Sequence, residues 1–247
     1  MMNLLTLIFK SMLTDRMTTK EIVAEIKRDN NFISDASNRE VERNYNAYHA
    51  KLKMLKKMHP EYNYYVLGVK KIKCPKSQNV YYMIMGYNLP NKEFIIQKIG
   101  IMTDRNGKRQ LVTASYDDIL GERVYIYSSH LLSRYRERYL KNESIDFDEL
   151  VKKFIFDSKN GMLTSRIQWN FKRKSNPDEK TAAEITQIGC NLGVVDESGT
   201  VIFKTFVSSD MLKDNQQFDI EVGDSYFRML NLFDQELIQE SFSYFGH

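Results

Sequence analysis

Gly100-Ile101-Met102-Thr103-Asp104-Arg105-Asn106-Gly107-Lys108-Arg109-Gln110-Leu111-Val112 reads as a tight hairpin. Asn106-Gly107 supplies the positive φ that a short reversal needs, and β-favouring residues flank it on both sides. The pattern extends outward. Tyr64–Ile72, Val80–Asn88, Glu93–Thr103 and Arg109–Tyr116 are four runs rich in Tyr, Val and Ile, separated by turn clusters. Their connections are too short for crossover helices, so the spacing predicts an antiparallel β-meander.

Helical signals precede it. Thr18-x-x-Glu21 stands before Ile22, Val23 and Ile26, and Ser37-x-x-Glu40 before Val41, Tyr45, Tyr48, Leu52 and Leu55. These two capping boxes predict two helices, the second ending at His59-Pro60. The apolar opening Met1–Phe9 has no basic residue ahead of it and is interrupted by Lys10, so it reads as the start of a helix and not as a leader.

Beyond the meander a short strand, Val124–Tyr127, leads into a helix capped by Ser129. A second helix starts from the Asp146 cap with Glu149 three residues on, and stops at Asn160-Gly161. A strand at Leu163–Phe171, a polar loop around Lys174–Glu179 and a hairpin of Ile188–Val195 with Thr200–Val207 follow. Ser209-Asp210 caps a short helix, and Ser225–Ser243 is an amphipathic C-terminal helix. The expected class is α+β: an N-terminal helical segment (1–60), then an α+β core domain (61–247) made of the meander, a helix pair, a β-hairpin and the C-terminal helix.

The 247 residues are 42% hydrophobic and 28% charged, and no stretch approaches the roughly 20 apolar residues of a membrane-crossing helix, so no membrane partner is expected. Cys74 and Cys190 are two and far apart, which fits reduced structural thiols and a cytoplasmic location. Phosphate-loop, dinucleotide-binding, nucleophile-elbow and metal-ligand spacings are all missing from the sequence, so the expected set contains no cofactor and no metal ligand. Charge is uneven: residues 51–76 hold eight lysines against Glu61, and residues 206–247 hold eight acids against Lys213 and Arg228. Such asymmetry reads either as a phosphate-attracting face or as internal pairing between the two segments.

Chemistry concentrates in Ser128–Leu140. Wound as a helix, His130, Ser133, Arg134, Glu137 and Arg138 fall on one face, and Leu131, Leu132, Tyr135 and Tyr139 form the stripe that seats it. His130 then stands in the first turn, where the unpaired N–H groups and the dipole favour a neutral imidazole able to act as a base. The same face also reads as a solvated surface on which Arg134 and Arg138 stand four residues apart in water and Glu137 is the i,i+3 partner of Arg134. One His, several Arg and hydroxyls suit metal-independent RNA cleavage: His130 as base or acid, Arg134 and Arg138 holding the phosphate, Lys204 and Thr205 adding contacts from a neighbouring strand. Arg166–Lys174 interleaves Trp169 and Phe171 with Arg166, Lys172, Arg173 and Lys174, a composition that stacks bases and binds phosphates. Lys70, Lys71, Lys73, Arg166, Trp169, Lys172 and Arg173 are the candidate nucleic-acid contacts. The competing class is a non-enzymatic accessory module that binds nucleic acid or protein through the Lys51–Lys76 face and Tyr62, Tyr64, Tyr65, Tyr81, Tyr82 and Tyr87.

A His-x-x-x-Arg-x-x-x-Arg helix, then a second helix and a hairpin whose last strand holds Lys204-Thr205, resembles the RelE/barnase-like ribonuclease toxins over roughly residues 124–215. The resemblance implies that His130, Arg134 and Arg138 are the catalytic-helix residues, with Lys204 and Thr205 on the strand. The chain departs from it in its greater length, in an insertion at Lys159–Glu184, and in the Tyr62–Tyr116 meander. Docking of the helix pair on the second hairpin requires Leu131, Tyr135, Phe154 and Val201 to be buried.

Overall fold

The computed structural model describes residues 12–117, 121–161, 166–169 and 180–211; of 116, 117, 121 and 166–169 it describes the backbone alone. The chain divides into two units, Met1–Ser208 and Ser209–His247, the described part of the second being one 3₁₀ turn, Ser209–Met211. The expected helices at Met1–Phe9 and Ser225–Ser243 and the loop at Lys174–Glu179 lie outside the described residues.

The first unit begins with α1, Thr19–Met58. Thr18 caps it as expected, its hydroxyl accepting from Glu21 N while Glu21 accepts from Thr18 N. The second capping box does not start a helix. Ser37 is buried in mid-helix and donates to Ile33 O at 2.7 Å, beside the Met83 sulfur, so one continuous helix replaces the expected two. A serine that satisfies itself on the carbonyl four residues back leaves the helix running.

The meander follows: β1 (Tyr64–Lys73), β2 (Val80–Asn88), β3 (Glu93–Thr103), β4 (Arg109–Asp117) and β5 (Gly121–Tyr127), each antiparallel to the next. Gly107 has φ of +74° in the Asn106-Gly107 turn. Then come α2 (Ser129–Tyr135), a π-helical turn (Arg136–Leu140), α3 (Phe147–Lys159), β6 (Arg166–Trp169), β7 (Thr181–Thr186), β8 (Gly189–Val195) and β9 (Val201–Ser208). β7, which begins inside the Lys159–Glu184 stretch, is not among the expected strands, because Ala and Glu in Thr-Ala-Ala-Glu-Ile-Thr are depleted in strands. The nine strands of the described residues form one sheet in the order β1-β2-β3-β4-β5-β9-β8-β7-β6. The fold is α+β. Its sheet is two antiparallel meanders joined where β5 and β9 run parallel, with Tyr125, Ile126 and Tyr127 opposite Val201, Ile202 and Phe203.

This sheet curls. At the end of α3, Lys159 Nζ lies 3.1 Å from Glu184 Oε1 on β7, while the side chain of the next residue, Asn160, accepts from Val66 N on β1 at 3.1 Å. β1 and β7 are seven places apart in the strand order, roughly 33 Å in a flat sheet. Adjacent residues cannot reach both unless the strands wrap round α3. Inside the curl Tyr64, Tyr82, Leu111, Tyr127 and Phe203 pack against Leu131, Tyr135, Phe154 and Ile155. Leu131, Tyr135, Phe154 and Val201 are all buried, as docking of the helix pair requires. On the other face α1 buries Ile22, Ile26, Leu52 and Leu55 against Tyr65, Tyr81, Met83 and Val112.

One carboxylate pins α1 to that face. Asp29, 4% exposed, accepts from Ser77 Oγ and Asn79 Nδ2 at 2.8 Å and from Tyr81 Oη at 2.9 Å. Its removal leaves the Ser77 and Tyr81 hydroxyls without their acceptor and Asn79 Nδ2 with Glu25 alone, at 3.3 Å, each orphaned hydroxyl costing on the order of 1 kcal/mol or more. Asp29→Ala is therefore expected to lose about 2 kcal/mol in urea unfolding, against a change within about 0.5 kcal/mol for the exposed Asp35→Ala on the same helix.

Candidate functional site

The α2 helix is started by Ser128, not Ser129. In the Ser-Ser pair the first residue keeps an extended backbone (φ −64°, ψ 157°) and its hydroxyl accepts from Leu131 N at 3.1 Å, which makes Ser129 the first helical residue. His130 is thus second in the helix, and it is exposed. Because β5 and β9 are parallel with Tyr127 opposite Phe203, the residues that follow, Ser128 and Lys204, leave the seam side by side. Ser128 N donates to Phe203 O at 3.1 Å, and its hydroxyl donates to Lys204 O at 3.4 Å.

Lys204 sits in a bulge. β8 pairs Leu192 with Thr205 and Gly193 with Phe203, which leaves Lys204 with no residue opposite it. Its side chain is exposed, and Thr205 is half-buried. Gly193 allows the bulge: a Cβ there would meet Ile202 O at 2.3 Å.

The two arginines have different surroundings. Arg134 Nη1 donates to Glu137 Oε2 at 2.7 Å on the surface, the pairing that the amphipathic reading contained. Arg138 Nη1 donates to Phe206 O on β9 at 2.7 Å. The wider turn at Arg136–Leu140 separates these roles, since residues within it no longer keep the α-helical phase. It also leaves Tyr139 40% exposed, although the helical stripe places it in the core; the ring stacks on Tyr135 at 5.6 Å. Tyr135 Oη in turn donates to Asp157 on α3 at 2.5 Å, and burial raises the Asp157 carboxyl above its ordinary range.

Of the nucleic-acid candidates, Lys70 is ion-paired with Glu40, and Lys71 with Asp148 at 2.7 Å. The Lys71 hydrogen bond, joined by one from Tyr82, holds the Asp148 carboxyl below the usual range. These pairs cross from α1 to β1 and from β1 to α3, so part of the lysine run serves the fold; Lys73 is exposed. Lys51, in the same run, donates to Leu67 O at 2.8 Å. Arg166 and Trp169 stand opposite Ile185 and Ala182 at the two ends of β6, and Lys172 and Arg173 lie outside the described residues. Tyr64, Tyr65, Tyr81 and Tyr82 are fully buried, which removes them from any binding surface; Tyr62 and Tyr87 are half-buried.

Sequence reading missed a second polar group. Glu184, 2% exposed, accepts from Tyr127 Oη, Lys159 Nζ and Asn191 Nδ2 inside the curl. Its four members come from β5, α3, β7 and β8, and no local spacing announces them. Both cysteines are free and buried, and burial pushes their thiols up, Cys74 to about 11 and Cys190 to about 12. Among the described residues no cluster of His, Cys, Asp or Glu is arranged to hold a metal, and no helix is long and apolar enough to cross a membrane.

No protein-family model matches the chain, and no curated protein or solved structure matches it significantly.

The contrast between the arginines is measurable. Arg138→Ala breaks a partly buried, charge-assisted bond to the β9 backbone and is expected to cost about 1.5–3 kcal/mol in chemical denaturation. Arg134→Ala removes an exposed pair three residues apart and is expected to change stability by no more than about 0.5 kcal/mol.

Proposed function

We propose that this protein binds RNA where α2 meets β9 and cleaves it without a metal ion, His130 acting as acid or base and Lys204 facing the phosphate. One observation carries the reading: Ser128 both caps the helix that bears His130 and hydrogen-bonds the carbonyl of the bulged Lys204. An exposed imidazole and an exposed ammonium are thereby mounted on one hydrogen-bonded junction of rigid elements. The local arrangement of a His-bearing helix, a second helix and a strand with Lys204-Thr205 supports the same reading.

In the proposed reaction a base takes the proton of the ribose 2′-hydroxyl, whose oxygen attacks phosphorus. The 5′-oxygen leaves with a proton from an acid, and a 2′,3′-cyclic phosphate remains. His130 fills one of the two proton-transfer roles, and Lys204 offsets charge building on the phosphorane oxygens. Arg134 lies one helical turn beyond His130 and turns to the phosphate by exchanging its partner Glu137 for it. Arg138 acts indirectly, holding the π-helical turn to β9.

Incubation of purified protein with a panel of RNAs in EDTA is the test. His130→Ala is expected to lose at least about 100-fold in cleavage rate with its melting temperature unchanged, since the side chain is exposed and contributes little packing. Cleavage that survives the substitution removes His130 from the mechanism. Salt-dependent binding without cleavage by wild type leaves the accessory-module reading in its place. RNA affinity is expected to fall as salt rises, and Lys204→Ala to reduce the slope of log K against log salt by about one.

A further inference from the structure

On the face opposite α2, a cleft of about 130 Å³ opens between the first half of α1 and strands β3 to β5. Val23, Ile26 and Ala114 give it an apolar wall. Lys98, opposite Met83 in the β2–β3 register and half-buried, lines it too. The Lys98 ammonium donates to the side-chain oxygen of Asn30, a neutral partner. Asp29, the buried carboxylate of the neighbouring helical position, already accepts from Ser77, Asn79 and Tyr81. Glu122, the one acid that lines the cleft among the described residues, is ion-paired with Lys27. Among the described residues the lining therefore holds two ammonium groups against one carboxylate, and that carboxylate is engaged by Lys27.

We infer that this cleft binds a small carboxylic acid, its carboxylate on the Lys98 ammonium and its short alkyl tail against Val23, Ile26 and Ala114. Size sets the first limit: the volume is well below the roughly 300–1,000 Å³ of sites for drug-sized ligands, so the occupant has a handful of non-hydrogen atoms. Charge sets the second. A single ammonium whose hydrogen-bond partner is a neutral amide matches a monoanion, whereas a phosphate dianion calls for several convergent donors. The apolar wall selects a ligand with a hydrocarbon end. Burial pushes the Lys98 ammonium below the usual lysine range, with the Asp29 charge opposing that shift. A carboxylate seated beside it favours the charged form and offsets the desolvation.

None of these residues belongs to α2 or β9, so the proposal stands apart from the RNA reading. The experiment is ligand-observed NMR and calorimetric titration of the full chain with acetate, propionate and butyrate, with butylammonium as the cationic control of matching shape. Affinity is expected to rise about fourfold for each added methylene, with no binding of butylammonium. Lys98→Met keeps the length of the side chain and removes its charge. It is expected to weaken butyrate at least about tenfold with the circular dichroism spectrum unchanged. The chain-length series and the cationic control use wild type alone, so they decide the matter even if the variant folds poorly. No saturable binding of butyrate, equal binding of butylammonium, or unchanged affinity in folded Lys98→Met each overturns the proposal.

Discussion

Three consecutive residues at the end of α3 hold two strands that stand seven places apart in one sheet. Lys159 reaches Glu184 on β7, while Asn160 and Gly161 bond the backbone of Val66 and Tyr64 on β1. The curl that this enforces gives Phe154 and Ile155 strands to pack on from both meanders. The charges matter as much as the apolar contacts. A buried carboxylate is tolerated where its lone pairs are met, and Glu184 finds Tyr127, Lys159 and Asn191 together only when α3 is seated at one depth. Hydrophobic burial drives the collapse, and the polar group fixes its geometry.

The parallel seam between β5 and β9 has the corresponding role for the candidate site. Parallel strands cannot be joined by a tight turn, so everything from α2 to β8 is threaded between two neighbours in the sheet. Chain polarity then makes both strands deliver their next residues on the same side. Ser128 and Lys204 meet for that reason, and Ser128 satisfies a helix donor and a strand carbonyl with one hydroxyl. An antiparallel seam would send these two residues to opposite ends of the strands.

Local signals in the sequence gave way to long-range ones at identifiable points. Asn106-Gly107, the Asp146 cap and the Asn160-Gly161 stop all act within a few residues, and the structure has a reversal, a helix start and a helix end at those places. Ser37 carries the same local signal as Thr18, yet the Ile33 carbonyl and the Met83 surface take its hydroxyl, and the helix continues. The choice of Ser128 over Ser129 as cap depends on β9 standing beside it. β7 is a strand because β6 and β8 flank it, against the preference of its alanines. Within the site, the exposed position of His130 follows from helical phase and was legible. The engagement of Arg138 by Phe206 was not, since it depends on the π-helical turn and on a strand 68 residues away. Lys70 and Lys71 looked like free charge in a basic run because Glu40 and Asp148 are distant in sequence.

Among the described residues β1 is an edge strand, and its outward amide and carbonyl at Val66 and Tyr64 are met by Asn160 and Gly161. Gly161, at φ +92°, turns its N–H toward that edge in a conformation that other residues rarely adopt. During synthesis the five strands of the first meander leave the ribosome well before residue 161 does. For that interval the edge of a tyrosine-rich sheet is open, and open edges recruit strands from other chains. The helix end that closes the curl in the finished protein is therefore also the point at which a nascent chain stops being able to template a neighbour.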